Sequence, residues 1–176
     1  MASHRIRVSL SDISQLFNSM DPSPFIEKDL DKDAEEFIVG WAHEYAHQDS
    51  LSLHIQLKQL PGGDNPRAMV EQAVRNYFAY RSKLDGLEFS RLMKQGRLSL
   101  AIGLLFLGGC LLVSEVLTAR LSGAFASFVK EGLTIAGWVA LWRPMEIYLY
   151  DWWPLRRRGR ILEKLSHIDV ELTKKD

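Results

Sequence analysis

Apolar and polar residues alternate in two short stretches of the chain. Ile6, Val8 and Leu10 occupy every second position of the first stretch, and the same pattern runs from Leu51 to Leu57. A period of two residues is typical of a strand with one buried face. The long segment between the stretches has a helical pattern, and strands joined in this way are usually parallel. We therefore predict two short parallel strands.

Apolar residues with helical spacing predict about three helices around these strands. A short one follows Ser11 and Asp12, a longer one starts near Asp31, and a third follows Asn65 and should end at Asp85 and Gly86. The apolar stripe of the longer helix is Leu30, Ala34, Phe37, Ile38, Trp41 and Tyr45. Residues 1–96 are thus expected to form a small α/β domain. Two strands alone make a marginal sheet, so we expect either helices or a neighbouring subunit to complete it.

The pattern changes completely after residue 97. Residues 98–114 carry no charge over 17 positions, which is close to the length that crosses a bilayer. A second apolar stretch follows and ends at Trp152 and Trp153. We predict an α+β membrane protein, in which a hairpin of two transmembrane helices occupies residues 97–153, with spans near 98–117 and 131–151. Residues 154–176 should form a basic C-terminal helix.

Charge is balanced overall, with 22 basic and 22 acidic residues, and this balance argues against a nucleic-acid partner. Its distribution is uneven. The 20 residues before Leu98 contain five basic residues, the 20 from Trp152 contain five, and the segment between the spans contains only Arg120 and Lys130. Positive charge is retained on the cytoplasmic side of a membrane. Both termini should therefore be cytoplasmic, at the bacterial inner membrane.

The second span has two possible positions. Gly132–Asp151 covers about 30 Å and places Arg143 and Glu146 within the inner half of the membrane. Leu121–Trp142 instead places Lys130 near its middle. We favour the first, because Arg143 and Glu146 can pair three residues apart on one helix face. Ionisable residues at this depth are candidates for function or for an ion pathway. The polar candidates are Arg143, Glu146, Asp151 and Glu115.

Two further groups of residues are expected to act in the membrane. Small residues let helices approach closely, either within one chain or between subunits. Those positioned for this role are Gly132, Ala136 and Ala140 on the second span and Gly103, Gly108 and Gly109 on the first. Tryptophan and arginine favour the membrane interface and anionic lipid head groups. The candidates for that contact are Trp152, Trp153, Arg156, Arg157, Arg158 and Arg160.

His43-Glu44-Tyr45-Ala46-His47 matches the H-E-x-x-H spelling of zinc proteases. In those enzymes two histidines one helical turn apart bind zinc, and the glutamate is the general base. Here His43 lies opposite the apolar stripe of its helix, and polar residues end the helix directly after His47. We therefore interpret the motif as a solvated helix face and predict neither a metal nor another cofactor.

Three segments resemble a group of small bacterial inner-membrane proteins with two transmembrane helices. They read GWVALWRPMEIYLYDWWPLRRR, NYFAYR and IEKDLDKDAEEFI. The resemblance implies the same location. It implies no activity and no site residues.

Together these patterns predict a membrane scaffold or accessory subunit without enzymatic activity. We expect it to associate with itself or with another membrane protein. Two alternatives stay open at this point: an oligomeric ion or proton channel that uses Arg143 and Glu146, and a zinc hydrolase that uses the histidine motif.

Overall fold

The computed structural model describes residues 3–45, 49–59, 62, 65–120 and 123–175. The chain is mostly helical, with a small parallel sheet and two long apolar helical runs. The strands are β1 (Ser3–Leu10), β2 (Ser50–Leu57) and β3 (Asp169–Lys174). The helices are α1 (Lys32–Glu44), α2 (Pro66–Arg120), α3 (Ala124–Ala140), α4 (Trp142–Glu146) and α5 (Trp152–Leu165), with a π-helical turn at Ile147–Asp151 between the last two. Short 3₁₀ turns lie at Ile13–Gln15 and Phe25–Glu27.

The sheet has three parallel strands in the order β1-β2-β3. The two predicted strands are present and parallel, but the prediction of only two was wrong. The third strand comes from the C-terminal segment, where α5 ends at Leu165 and the chain continues as β3 instead of a helix. Val170 pairs in register with Leu53 and is fully buried. The chain therefore supplies a third strand of the sheet itself.

Helices cover one face of this sheet. The core joins Ile6, Leu53 and Val170 from the strands to Ile38 of α1 and Phe78 of α2. Side chains of α5 join the same core. On α1 the buried positions are Ile38 and Ala42, whereas Phe37 and Trp41 from the predicted stripe are 45% and 40% exposed. The predicted stripe on α1 was thus too wide, because this helix turns only a narrow line of residues toward the core.

Helix α2 continues through Asp85 and Gly86, where we predicted its end. A glycine within a helix costs only about 1 kcal/mol, which the surrounding contacts outweigh. Asp85 is 6% exposed, and its carboxylate lies 3.5 Å from the Arg158 guanidinium. The described residues up to Gly86 and from Arg157 onward form one compact unit, and residues 87–156 form a second.

Candidate membrane hairpin and its polar cluster

Two helical runs are long and apolar enough, by length and composition, to cross a membrane. They are Pro66–Arg120 and the continuous run Ala124–Leu165. Only 17% of the most apolar 18 residues in each run is buried. Large side chains such as Leu105, Leu112 and Phe128 are more than 70% exposed. The second unit therefore presents an apolar outer surface that is not covered by the described part of the chain.

Glycine residues bring α2 and the second run together in antiparallel directions. A Cβ atom added at Gly137 would lie 2.5 Å from Leu107 Cδ1, and one added at Gly103 would lie 2.9 Å from the Ala140 carbonyl oxygen. One at Gly96 would lie 2.9 Å from Ile147 Cγ2. These distances are below van der Waals contact, so a side chain at any of the three glycines would displace its neighbours. At Gly103 the neighbour is a backbone oxygen, which cannot rotate away, so the helices would have to move apart.

Three of the buried small residues on α2 lie seven positions apart. They are Gly96, Gly103 and Cys110. A strict seven-residue repeat keeps one seam facing a neighbouring helix when the pair winds in a left-handed sense. The seven-residue spacing is visible in the sequence, but we predicted the helix contact from the four-residue spacing of Gly132, Ala136 and Ala140.

The predicted small residues divide into two groups in the structure. Gly103 and Ala140 lie at the helix contact. Gly132, Gly108 and Gly109 have no atom within 4 Å of an added Cβ, and Ala136 is exposed. The second run meets α2 through Gly137, which lies about 100° around the helix from Ala136. Sequence reasoning therefore missed Gly96 and Gly137.

Pro144 explains why the second run is interrupted at Leu141. Proline has no N–H to donate to the carbonyl four residues earlier, and its ring clashes with that carbonyl. Here this carbonyl belongs to Ala140, the last residue of α3. The same Ala140 oxygen faces Gly103, where a side chain would meet it. The glycine on one helix thus accommodates the carbonyl displaced by the proline on the other.

Arg143 binds two carboxylates within its own helical run. Its Nη1 atom donates to Glu146 Oε2 at 3.2 Å and to Asp151 Oδ2 at 3.0 Å. The indole of Trp142 donates to the other Glu146 oxygen at 2.9 Å. The structure therefore brings together three of the predicted polar residues, while Glu115 is exposed on α2, five residues beyond Cys110 and toward the other end of the hairpin.

The π-helical turn is what brings Asp151 to Arg143. Residues eight apart in a regular α-helix lie about 80° apart around the axis, whereas residues seven apart lie within about 20°. A π turn inserts one extra residue, so Asp151 takes the place that a residue seven positions after Arg143 would have. Trp152 then donates its indole N–H to the Tyr148 carbonyl at 2.8 Å, which supplies a donor where the regular hydrogen-bond pattern is altered.

The helix contacts also show which residues share a level along the hairpin. Gly103 meets Ala140, and the next contact comes seven residues further along on both helices. Because the rise per residue is nearly equal on the two helices, Glu146, six residues after Ala140, is level with Arg97, six residues before Gly103. Arg143 lies one turn further into the apolar part.

The residues predicted to contact the membrane interface come directly after the π-helical turn, in α5. Trp153 is exposed, Trp152 is half-buried, and the Arg156 guanidinium lies 5.9 Å from the centre of the Trp152 ring. Arg157, Arg158 and Arg160 belong to the sheet-containing unit and are exposed. The Arg158 guanidinium lies 3.5 Å from the Asp85 carboxylate.

A second ionic cluster, not predicted from the sequence, joins the helices of the sheet-containing unit. Glu35 of α1 accepts hydrogen bonds from the Tyr77 hydroxyl at 2.7 Å and from Arg81 Nε at 3.1 Å. Burial and then the Glu35 carboxylate raise the pKa of Tyr77. Burial alone would lower the pKa of Arg81, but the charge of Glu35 and its other neighbours raises it. The spacing of Tyr77, Arg81 and Asp85 was visible in the sequence, but their partner on α1 was not.

The histidine motif is only partly within the described residues, because His47 lies outside them. Glu44 is exposed, and His43 is half-buried in a groove of about 400 Å³ that Arg158 also lines. Burial and then the charges of Arg157 and Arg158 lower the pKa of His43. Within the described ranges no group of three potential ligands could hold a metal ion.

Comparisons of the chain with protein-family models, curated proteins and solved structures give no match.

Proposed function

We propose that this chain is a non-enzymatic scaffold or accessory subunit of the bacterial inner membrane, which the helical hairpin anchors in the bilayer. The observation that carries this proposal is the exposed apolar surface of the hairpin, since only 17% of its most apolar residues are buried. Water-soluble proteins rarely expose contiguous apolar surfaces of this extent. Lipid is the environment that such a surface fits.

The sheet supports a topology in which the chain crosses the membrane twice. β2 precedes the hairpin and β3 follows it, yet the two strands pair in register. Both ends of the hairpin must therefore be on the same side of the membrane. The basic residues on both flanks favour the cytoplasmic side.

The position of Arg143, Glu146 and Asp151 along the hairpin supports a specific cytoplasmic end for the second span. Arg97 directly precedes the uncharged run, and Glu146 is level with it. This level supports a cytoplasmic end of the second span near Glu146 rather than Asp151. Arg143, one turn deeper, keeps its charge compensated by Glu146 and Asp151, as expected for a residue that stabilises the helix near the interface. These internal partners favour a structural role over an ion pathway.

Alkaline washing of membranes and cysteine labelling test the proposal together. In a Cys110→Ala background, Ala124→Cys should react with an impermeant maleimide in intact cells, because it is the exposed first residue of α3 and lies between the spans. Ser90→Cys, an exposed residue of α2 before the first span, should react only after the cells are opened. Release of the chain at alkaline pH, or labelling of Ser90→Cys in intact cells, would contradict the proposal.

A further inference from the structure

The outer face of the β-sheet is not part of the hydrophobic core. The strands contribute to the core only through alternate residues on the inner face, such as Ile6, Leu53 and Val170. The outer face is polar on every strand: Arg5, Arg7, Ser9, Ser52, His54, Gln56, Asp169, Glu171 and Thr173. Antiparallel sheets often leave one face in water, but parallel sheets are almost always covered on both faces. A parallel sheet with an open polar face therefore points to a polar partner.

Charge on this face is separated from edge to edge. The register aligns Arg7 of β1, His54 of β2 and Glu171 of β3 in one row. Within the described residues, neither Arg7 nor Glu171 has an ion pair. In the next row the register aligns Arg5 of β1 with Asp169 of β3, across Ser52 of β2. Asp169 forms an ion pair with Arg67 at 3.3 Å. In these two rows the β1 edge is basic and the β3 edge acidic, roughly 10 Å apart across two strand spacings. Lys175, which follows β3 at the far end of this face, donates a hydrogen bond to Ser9 Oγ of β1 at 3.1 Å.

We propose that this outer face docks against the same face of a second copy of the chain. A two-fold axis along β2 would place β1 of one copy opposite β3 of the other, so that Arg7 of each copy faces Glu171 of its partner. A two-fold axis across the strands would place β1 opposite β1 and bring like charges together. Isologous contacts of the first kind satisfy both copies equally.

The size of the face makes this contact weak in dilute solution. Three strands span only about 14 Å, so each copy buries much less than the roughly 800 Å² typical of a stable complex. The inference rests on the proposed scaffold role, because two anchored copies in one membrane are held at a high effective concentration. It names the partner that the scaffold gathers: another copy of itself.

Cross-linking in native membranes tests the docking of two copies. In the Cys110→Ala background, Ser52→Cys lies on the outer face of β2 and on the proposed axis. At that position the cysteine of one copy would face the same cysteine of the other copy. A thiol cross-linker that spans roughly 10 Å, the spacing of packed sheets, should give a dimer of the chain. Arg7→Glu and Glu171→Arg should each lower the yield about tenfold, because each reverses two symmetric charge pairs. The double variant should restore the yield.

The controls use an exposed lysine of α2 in the same unit. Lys83→Cys as the reporter should give little dimer, and Lys83→Glu should leave the Ser52→Cys yield unchanged. Equal yields from the two reporters, a cross-linked product of another mass, or a double variant that stays as low as the single ones would overturn the proposal. A chain that resists alkaline washing but gives no dimer separates failure of the docking from failure of the membrane anchor.

Discussion

Gly137 is the residue that fixes the distance between the two long helices. We expect Gly137→Val to destabilise the hairpin by about 1–3 kcal/mol, the usual cost of overpacking. The physical reason is that even a Cβ atom would lie 2.5 Å from Leu107 Cδ1 and 3.2 Å from its Cα atom. Unfolding of the full chain by sodium dodecyl sulfate in mixed micelles measures the effect.

Gly132 offers a matched control on the same helix, because no atom lies within 4 Å of an added Cβ there. Gly132→Val should therefore change the unfolding midpoint little. Equal effects of the two substitutions would show that helix propensity, and not the contact with Leu107, controls the stability.

His43 gives the sheet-containing unit a dependence on pH. Because burial and two arginines lower its pKa below the ordinary value of 6.5, the folded state binds fewer protons than the unfolded state. The contribution of neutral His43 is complete above pH 6.5 and is lost as the pH falls from there through the folded-state pKa. A nuclear magnetic resonance titration of the ring should give a pKa below 6.5, and Arg157→Gln should raise it.

Thermal unfolding of the wild type and of His43→Gln tests whether His43 is the residue responsible. Thermal midpoints of the wild type should fall between pH 7.5 and pH 5.5 by more than those of His43→Gln, in which the titrating ring is absent. If the wild-type pKa lies at or above 6.5, the described surroundings of His43 are not those in solution.

At the scale of elements, the π turn and α4 form a single charged assembly around Arg143. Arg143→Ala leaves Glu146 and Asp151 without the cation that bridges them. We expect a loss of roughly 1–3 kcal/mol, because unpaired charged groups near the membrane are costly. The midpoint of unfolding in mixed micelles measures it.

Neutralising the two acids should reverse this loss. Glu146→Gln with Asp151→Asn in the Arg143→Ala chain should regain most of the stability, whereas Lys130→Ala on α3 should have little effect. If the triple variant is no more stable than Arg143→Ala alone, the three side chains do not act as one cluster.

The sequence predicted elements well where the pattern was local. The alternation in β1 and β2, the helix that starts near Asp31 and the helix that follows Asn65 all depend on neighbouring residues, and they are confirmed. β3 was missed although Ile168, Val170 and Leu172 alternate as the apolar residues of β1 do, because the helix predicted from the basic run was extended to the end of the chain. The π turn was missed because it depends on the long-range fit between the helices, for which residues 147–151 carry no local pattern.

At the scale of the whole molecule, the sheet unit is built from two segments on either side of the hairpin. Their ends lie close together, since the Asp85 carboxylate is 3.5 Å from the Arg158 guanidinium. We predict that replacing residues 87–156 with a short glycine-serine linker gives a soluble domain with cooperative thermal unfolding. Circular dichroism and gel filtration check this outcome.

Val170→Asp in the same linked chain is the control. Val170 is fully buried, so a carboxylate there should abolish cooperative unfolding. The Val170→Asp chain should aggregate or melt without a cooperative transition. If the linked chain with Val170 intact behaves in the same way, the sheet unit needs the hairpin in order to fold.

The pairing of β2 with β3 has a consequence for the order in which the chain is made. The ribosome releases β1 and β2 first, then both apolar helices, and β3 only afterwards. In the proposed topology β3 can reach β2 only after the second helix has returned to the cytoplasm. A chain whose second helix fails to cross leaves β3 on the opposite side from β2, so the sheet stays incomplete and Leu53 and Ile55 lack their neighbour. In the proposed topology the sheet is therefore complete only when both helices have crossed the membrane, and a chain that stops halfway exposes the apolar residues that β3 would cover.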